Sequence, residues 1–142
     1  MIAGACVVLP LMTSLLLASP LALDERPAGE REWGYRPAEG AVSPTNPPAF
    51  SWRPQRNIVA WELQCARSSE FARPDLAEQG IPWNVYCPSH VLSAGEYHWR
   101  YRGRTADGST TQWSRTRRFA IPSEAAVMPM PTRKELLGRL PK

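Results

Sequence analysis

Apolar and polar residues alternate through the middle of this chain, most clearly in VAWELQCARS, residues 59–68. There Trp61, Leu63 and Cys65 point one way, and Glu62, Gln64 and Ala66 point the other. A period of two marks a half-buried strand, because successive strand side chains leave opposite faces. NPPAFSWRP (46–54) puts Phe50 and Trp52 on one face of a short strand that Pro54 closes. WNVYCP (83–88) reads as another short strand, with Val85 and Cys87 on one face. Residues 96–103 and 112–121 form a hairpin through TADGST, where Asp107-Gly108 signals the turn. The polar stretch 69–80 holds one proline and one glycine and reads as a connection. Short strands at regular spacing predict an all-β antiparallel sandwich of about seven strands over residues 46–122.

The pattern changes at both ends. No charged side chain precedes Asp24, and the apolar opening predicts a signal peptide over 1–23 and an exported protein, periplasmic or extracellular. Pro10 and the short span disfavour a transmembrane anchor. Residues 24–45 are charged and rich in Gly and Pro, and read as a linker and lead-in loop. Beyond Pro122, AAVMPMP reads as extended linker. TRKELLGRL then has a helix start, with Thr132 and Glu135 at capping-box spacing and Leu136, Leu137 and Leu140 on an apolar side. The expectation for 123–142 is a linker and the start of a helical domain.

Composition sharpens this picture. Fifteen prolines in 142 residues favour loops and strand edges, and six tryptophans can anchor a small core. The net charge of +4 is concentrated in one place. Residues 95–119 hold six arginines, with Tyr97, Trp99 and Tyr101 alternating against His98, Arg100 and Arg102. The aromatic residues belong inside, with Trp99 between the sheets. LSAGEY, a Leu, a Gly turn and a Tyr, predicts a tyrosine corner in which the Tyr97 hydroxyl bonds back to the preceding backbone. Arg100 and Arg102 then face outward, where Trp113 can reach them. This leaves two readings: a structural ladder of arginine stacked on indole, or a polyanion-binding strip formed by Arg100, Arg102, Trp113 and Arg115. Nucleic acid is not an expected partner of an exported chain.

Candidate chemistry is sparse. His90 and His98 stand alone, Glu62 and Glu96 have no acid–base spacing, and no serine sits in a nucleophile motif. No cofactor and no metal are expected. Cys65 and Cys87 could bridge the two sheets as a disulfide or remain two free buried thiols. Trp33, Trp52 or Trp83 could stack on sugar rings, although Trp52 and Trp83 also suit core or edge packing.

NPPAFSWRP, AWELQCARSSEF, NVYCPSHVLSAGEYHWRYR, GSTTQWS, RRFAIP and PTRKELLGRLPK occur in this order. The ordered set resembles the N-terminal fibronectin-type-III-like module of heparinase II/III-type polysaccharide lyases, over roughly residues 33–142. The resemblance implies a secreted parent protein that cleaves uronate-containing polysaccharide by β-elimination. It implies that this module is noncatalytic and has a downstream catalytic toroid as its partner. An independent carbohydrate-binding or adhesion module and a receptor-like protein-interaction domain are the alternatives.

Overall fold

The computed structural model describes residues 21–128, and no helix occurs among them. The expected signal segment and capped helix start lie outside the described residues, apart from Leu21–Leu23. The fold is an all-β sandwich. Nine strands run β1 Ala41–Val42, β2 Thr45–Asn46, β3 Phe50–Ser51, β4 Ile58–Ala66, β5 Leu76–Ile81, β6 Val85–Tyr86, β7 Gly95–Thr105, β8 Arg117–Ile121 and β9 Ala126–Val127. One sheet has the order β1-β8-β7-β4-β5. Opposite it stand two short pairs, β2-β9 and β3-β6.

The antiparallel β4–β7 pairing is the centre of the large sheet. It sets Leu63 against Tyr101 and Cys65 against Trp99, so the apolar sets of both strands fall on one face. Phe50 and Trp52 come from the opposing side. Trp52 stacks on Tyr101 with ring centroids 5.2 Å apart, and Phe50 meets Trp99 edge-on at 5.5 Å. Offset and edge-to-face pairs of this kind add to the large apolar area that each ring buries. Gly103 closes the inward row of β7. A Cβ there would collide with the Ile58 side chain, so any larger residue opposite Trp61 would force Ile58 to move.

The stretch 69–80 is not merely a connection. Residues 76–81 form β5, a full edge strand paired with β4. Its buried residues, Leu76 and Ile81, are five apart, an odd spacing that breaks period-two alternation. A bulge reconciles them. Trp61 pairs with Ile81 and Leu63 with Glu78, so β5 carries an extra residue, and Gly80 beside it has φ +69°. Glycine is the residue that takes this conformation without strain.

The hairpin strand expected over 112–121 is regular only from Arg117. Before that, the Thr111 and Ser114 amides still donate to the Gly103 and Tyr101 carbonyls, but side chains accept the return bonds. Thr111 Oγ1 accepts from the Gly103 amide at 3.0 Å, and Ser114 Oγ accepts from the Tyr101 amide at 3.1 Å. The strand expected over 46–54 is split into β2 and β3. The segment 24–45 is part of the sheet system, for β1 pairs in parallel with β8, and Arg36 exchanges both backbone bonds with Ser51. After Pro122 the chain adds one more short strand, β9, on β2.

Candidate functional site

Two regions concentrate chemistry: the outer face of β7 and a cleft at the opposite side. On the outer face, the guanidinium of Arg100 lies over the Phe71 ring at 4.1 Å and over the Trp113 ring at 4.4 Å. Arg102 covers Trp113 again at 4.5 Å. The irregular stretch held by Thr111 and Ser114 is what turns Trp113 onto this face. Phe71 reaches it from the other side with φ 55°, a left-handed conformation that bulky residues rarely adopt. Burial of its ring beneath Arg100 compensates for that strain.

The same arginines are tied to the neighbouring strand. Arg100 Nε and Nη2 donate to Gln64 Oε1 at 2.9 and 2.7 Å. Arg102 Nε donates to Glu62 Oε2 at 2.7 Å, and Arg104 Nη2 to Glu62 Oε1 at 2.8 Å. Glu62 is only 3% exposed. Burial pushes its carboxyl up, but hydrogen bonds from Arg104 and Arg102 outweigh burial and hold it below its ordinary value. Arg100 itself is shifted down, by burial first and by Arg102 second.

The structure therefore brings Arg100, Arg102 and Trp113 together as a ladder. Arg115 is exposed and outside it; its backbone amide donates to Glu25 instead. Sequence reading missed Phe71, Gln64, Glu62 and Arg104. The register could have found two of them, since Glu62 faces Arg102 and Gln64 faces Arg100 across β4 and β7.

The Tyr97 hydroxyl donates to the Ser93 carbonyl at 2.8 Å, the back-bond of a tyrosine corner. Arg67 caps its ring at 4.6 Å and donates to the Ala94 carbonyl. Cys65 and Cys87 are both free. The disulfide is not formed because Cys65 points into the core while Cys87 is exposed just beyond β6. The alternative of two buried thiols also fails at Cys87. Burial pushes the Cys65 thiol up to about 12, with the Asp75 charge adding to it.

A buried arginine lies at the inner end of the sheet. Arg117, 1% exposed, stacks over Tyr35 at 3.9 Å and donates to Glu25 Oε1 at 3.1 Å. Both partners come from the stretch expected to be linker.

The cleft is about 360 Å³ and is walled by the chain around Trp33 and by the β3–β6 pair. Gly34, at φ +65°, turns the chain so that Tyr35 packs on Arg117 while Trp33 stands in the cleft. Trp33 is 71% exposed, whereas Trp52, also in the lining, is 1% exposed. The Trp52 Nε1 donor is buried and has no hydrogen-bond partner among the described residues. The walls are fixed by polar bonds. Asn84 Nδ2 donates to the Trp52 carbonyl at 2.7 Å, and Arg53 pairs with Glu32 at 2.8 Å and with Asp24 at 3.4 Å. Trp83 is not packed at an edge; it is exposed and lies outside the cleft lining.

No family model and no curated protein matches the chain. Among solved structures the chain is similar to the alpha-L-rhamnosidase from Dictyoglumus thermophilum, with 14% identity and a TM-score of 0.48 over 59% of this chain. The match spans 11% of that protein's length. At this distance the likeness bears on neither substrate nor activity.

Proposed function

We propose that this chain is a noncatalytic β-sandwich module of an exported heparinase II/III-type polysaccharide lyase, bracing a downstream catalytic toroid. The observation that carries the reading is the apolar corner around Asn46. The Asn46 side chain donates to the Leu92 carbonyl at 2.6 Å and accepts from the Leu92 amide at 2.9 Å. Its own carbonyl accepts from the Met128 amide at 3.0 Å. Three distant segments are thereby locked together. Val91, Val127 and Met128 flank these bonds and are all exposed. An apolar surface held rigidly where the chain continues into residues 129–142 suits docking of a following domain. The ordered motifs supply the class of that domain.

Two carboxylates tied to arginines support the same reading. Glu62 and Glu25 are held by Arg102, Arg104 and Arg117, so their carboxylates serve the fold. The test is an incubation of the purified chain with heparin, chondroitin, hyaluronan and alginate, following absorbance of the unsaturated uronate product. The expected result is no product from this chain and product from a longer protein that includes a toroid. Steady product formation that survives repurification overturns the noncatalytic role. A reading frame after Lys142 that encodes no toroid overturns the bracing role.

A second reading, an independent carbohydrate-binding module, is favoured by one specific observation, the exposed Trp33 above the cleft.

A further inference from the structure

We infer that the Trp33–Trp52 cleft is a binding site for an acidic pyranose, a sugar ring that bears a carboxylate or sulfate. The inference rests on the polysaccharide reading above for its biological setting, but its argument comes from the cleft. A saccharide ring offers a patch of C–H groups on one face and hydroxyls around its rim. Trp33 supplies a flat aromatic surface that remains open to solvent, and its neighbours do not cover it. Aromatic residues with one wet face and a rigid position are the usual anchors of such recognition.

Trp52 also lines the cleft, and its buried indole N–H has no hydrogen-bond partner among the described residues. A buried donor of this kind costs free energy unless something accepts from it. Trp52 Nε1 is itself covered by its surroundings, so a sugar hydroxyl accepts from it only if the lining opens on binding. The charge of the lining completes the argument. Glu32 is engaged by Arg53, which leaves Arg31 as a lining cation without an ion-pair or hydrogen-bond partner among the described residues. An exposed, unpaired arginine beside the ring platform favours an anionic substituent over a neutral one.

A proline-rich peptide also seeks aromatic grooves. Such ligands use ridges between several open rings. Here Trp33 is the open ring of the lining, and Trp52 is covered. The arginine ladder does not compete for the role, since Arg100, Arg102 and Arg104 are already engaged by Gln64, Glu62, Phe71 and Trp113.

The test titrates the full chain with chondroitin and alginate tetrasaccharides and with neutral maltotetraose. It reads tryptophan fluorescence and the indole N–H resonances. The expected result is saturable binding of an acidic tetrasaccharide with a shift of the Trp52 indole N–H, and weaker binding of maltotetraose. Trp33→Ala, at an exposed position that leaves folding intact, should weaken binding about tenfold or more, equivalent to about 1.4 kcal/mol. Arg31→Gln should weaken it about two- to fivefold, as expected for an exposed charge. Trp83→Ala, an exposed indole outside the cleft, should leave affinity unchanged. Several outcomes overturn the site: no saturable binding of either acidic tetrasaccharide, affinity that survives Trp33→Ala, equal affinity for maltotetraose, or binding of decaproline in place of saccharide. Binding that survives Trp33→Ala but is lost in Arg100→Gln also overturns the cleft while leaving the polysaccharide reading standing. The unsaturated-product assay, read separately, reports on that reading alone.

Discussion

Along β7, Tyr97, Trp99 and Tyr101 point inward and are at most 1% exposed, while Arg100, Arg102 and Arg104 point outward from the residues between them. The inner face is held by rings in mutual contact, where Trp99 meets Phe50 and tilts against Tyr101. The outer face is held in series, with each guanidinium shared between a ring or neighbour and one acceptor on β4. The first kind of cohesion depends on volume and is indifferent to pH. The second depends on charge and on individual bonds, and it can be lost in steps. One strand thus carries a dense core on one side and a graded, titratable brace on the other.

The largest expected effect comes from the inner face. Trp99→Ala removes a fully buried ring and should cost about 3–5 kcal/mol, a large part of a small domain's stability. Urea melts compare the two proteins, and a variant as stable as the parent would erase the distinction between the faces. Next is the outer face stripped of cations. Arg102→Met with Arg104→Met leaves the Glu62 carboxylate buried without its partners. The expected loss is about 2–3 kcal/mol, below the full buried-pair figure because both arginines are partly in solvent. Adding Glu62→Gln should restore much of it.

Acid should separate the faces in the same way. The Glu62 carboxyl titrates below its ordinary 4.5 in the folded chain. Its contribution is therefore fully present above that value and is lost as pH falls through the folded value. Stability measured from pH 6 to pH 3 should decline, and Glu62→Gln should flatten part of that decline. If the parent and Glu62→Gln fall in parallel, the ladder has no acid-sensitive part. Trp113→Ala follows, at about 1–2 kcal/mol for two partly exposed cation–π contacts. The smallest effect belongs to Cys87→Ser, within about 0.5 kcal/mol at an exposed position. Thiol labelling mapped by peptide mass should modify Cys87 in the native chain and Cys65 only on unfolding.

The inner face was legible in the sequence wherever alternation was unbroken. Trp61, Leu63 and Cys65, and then Tyr97, Trp99 and Tyr101, announced their side by period two. β5 was not legible because its bulge puts Leu76 and Ile81 on one side at an odd spacing. The Arg100–Arg102–Trp113 grouping could be read because strand parity and hairpin geometry are local. Phe71 could not, since its approach depends on a left-handed residue in a loop. Arg117 was hidden for a different reason. In sequence it belongs to a run of exposed arginines, and its counter-ion Glu25 and nearest ring Tyr35 come from more than eighty positions earlier. The cleft shows the same limit: Trp33 was visible as a candidate, but its place in one lining with Trp52 depends on how the leading segment runs beside β3.

The docking of that leading segment fixes where the chain can be cut. A piece beginning at Asn46 would retain every long strand, yet it would remove the Glu25 carboxylate and the Tyr35 ring from Arg117. It would also remove the Pro37 carbonyl that accepts from Trp99 Nε1 at 3.1 Å. The Arg117 guanidinium would then keep the Trp99 and Tyr101 rings but lose its counter-ion and the closest ring over it, and water would have to follow it in. The smallest autonomous unit of this sandwich therefore starts near Asp24. Expression libraries, limited proteolysis and domain grafting should all find the leading twenty residues of the described fold inseparable from the sheets they precede.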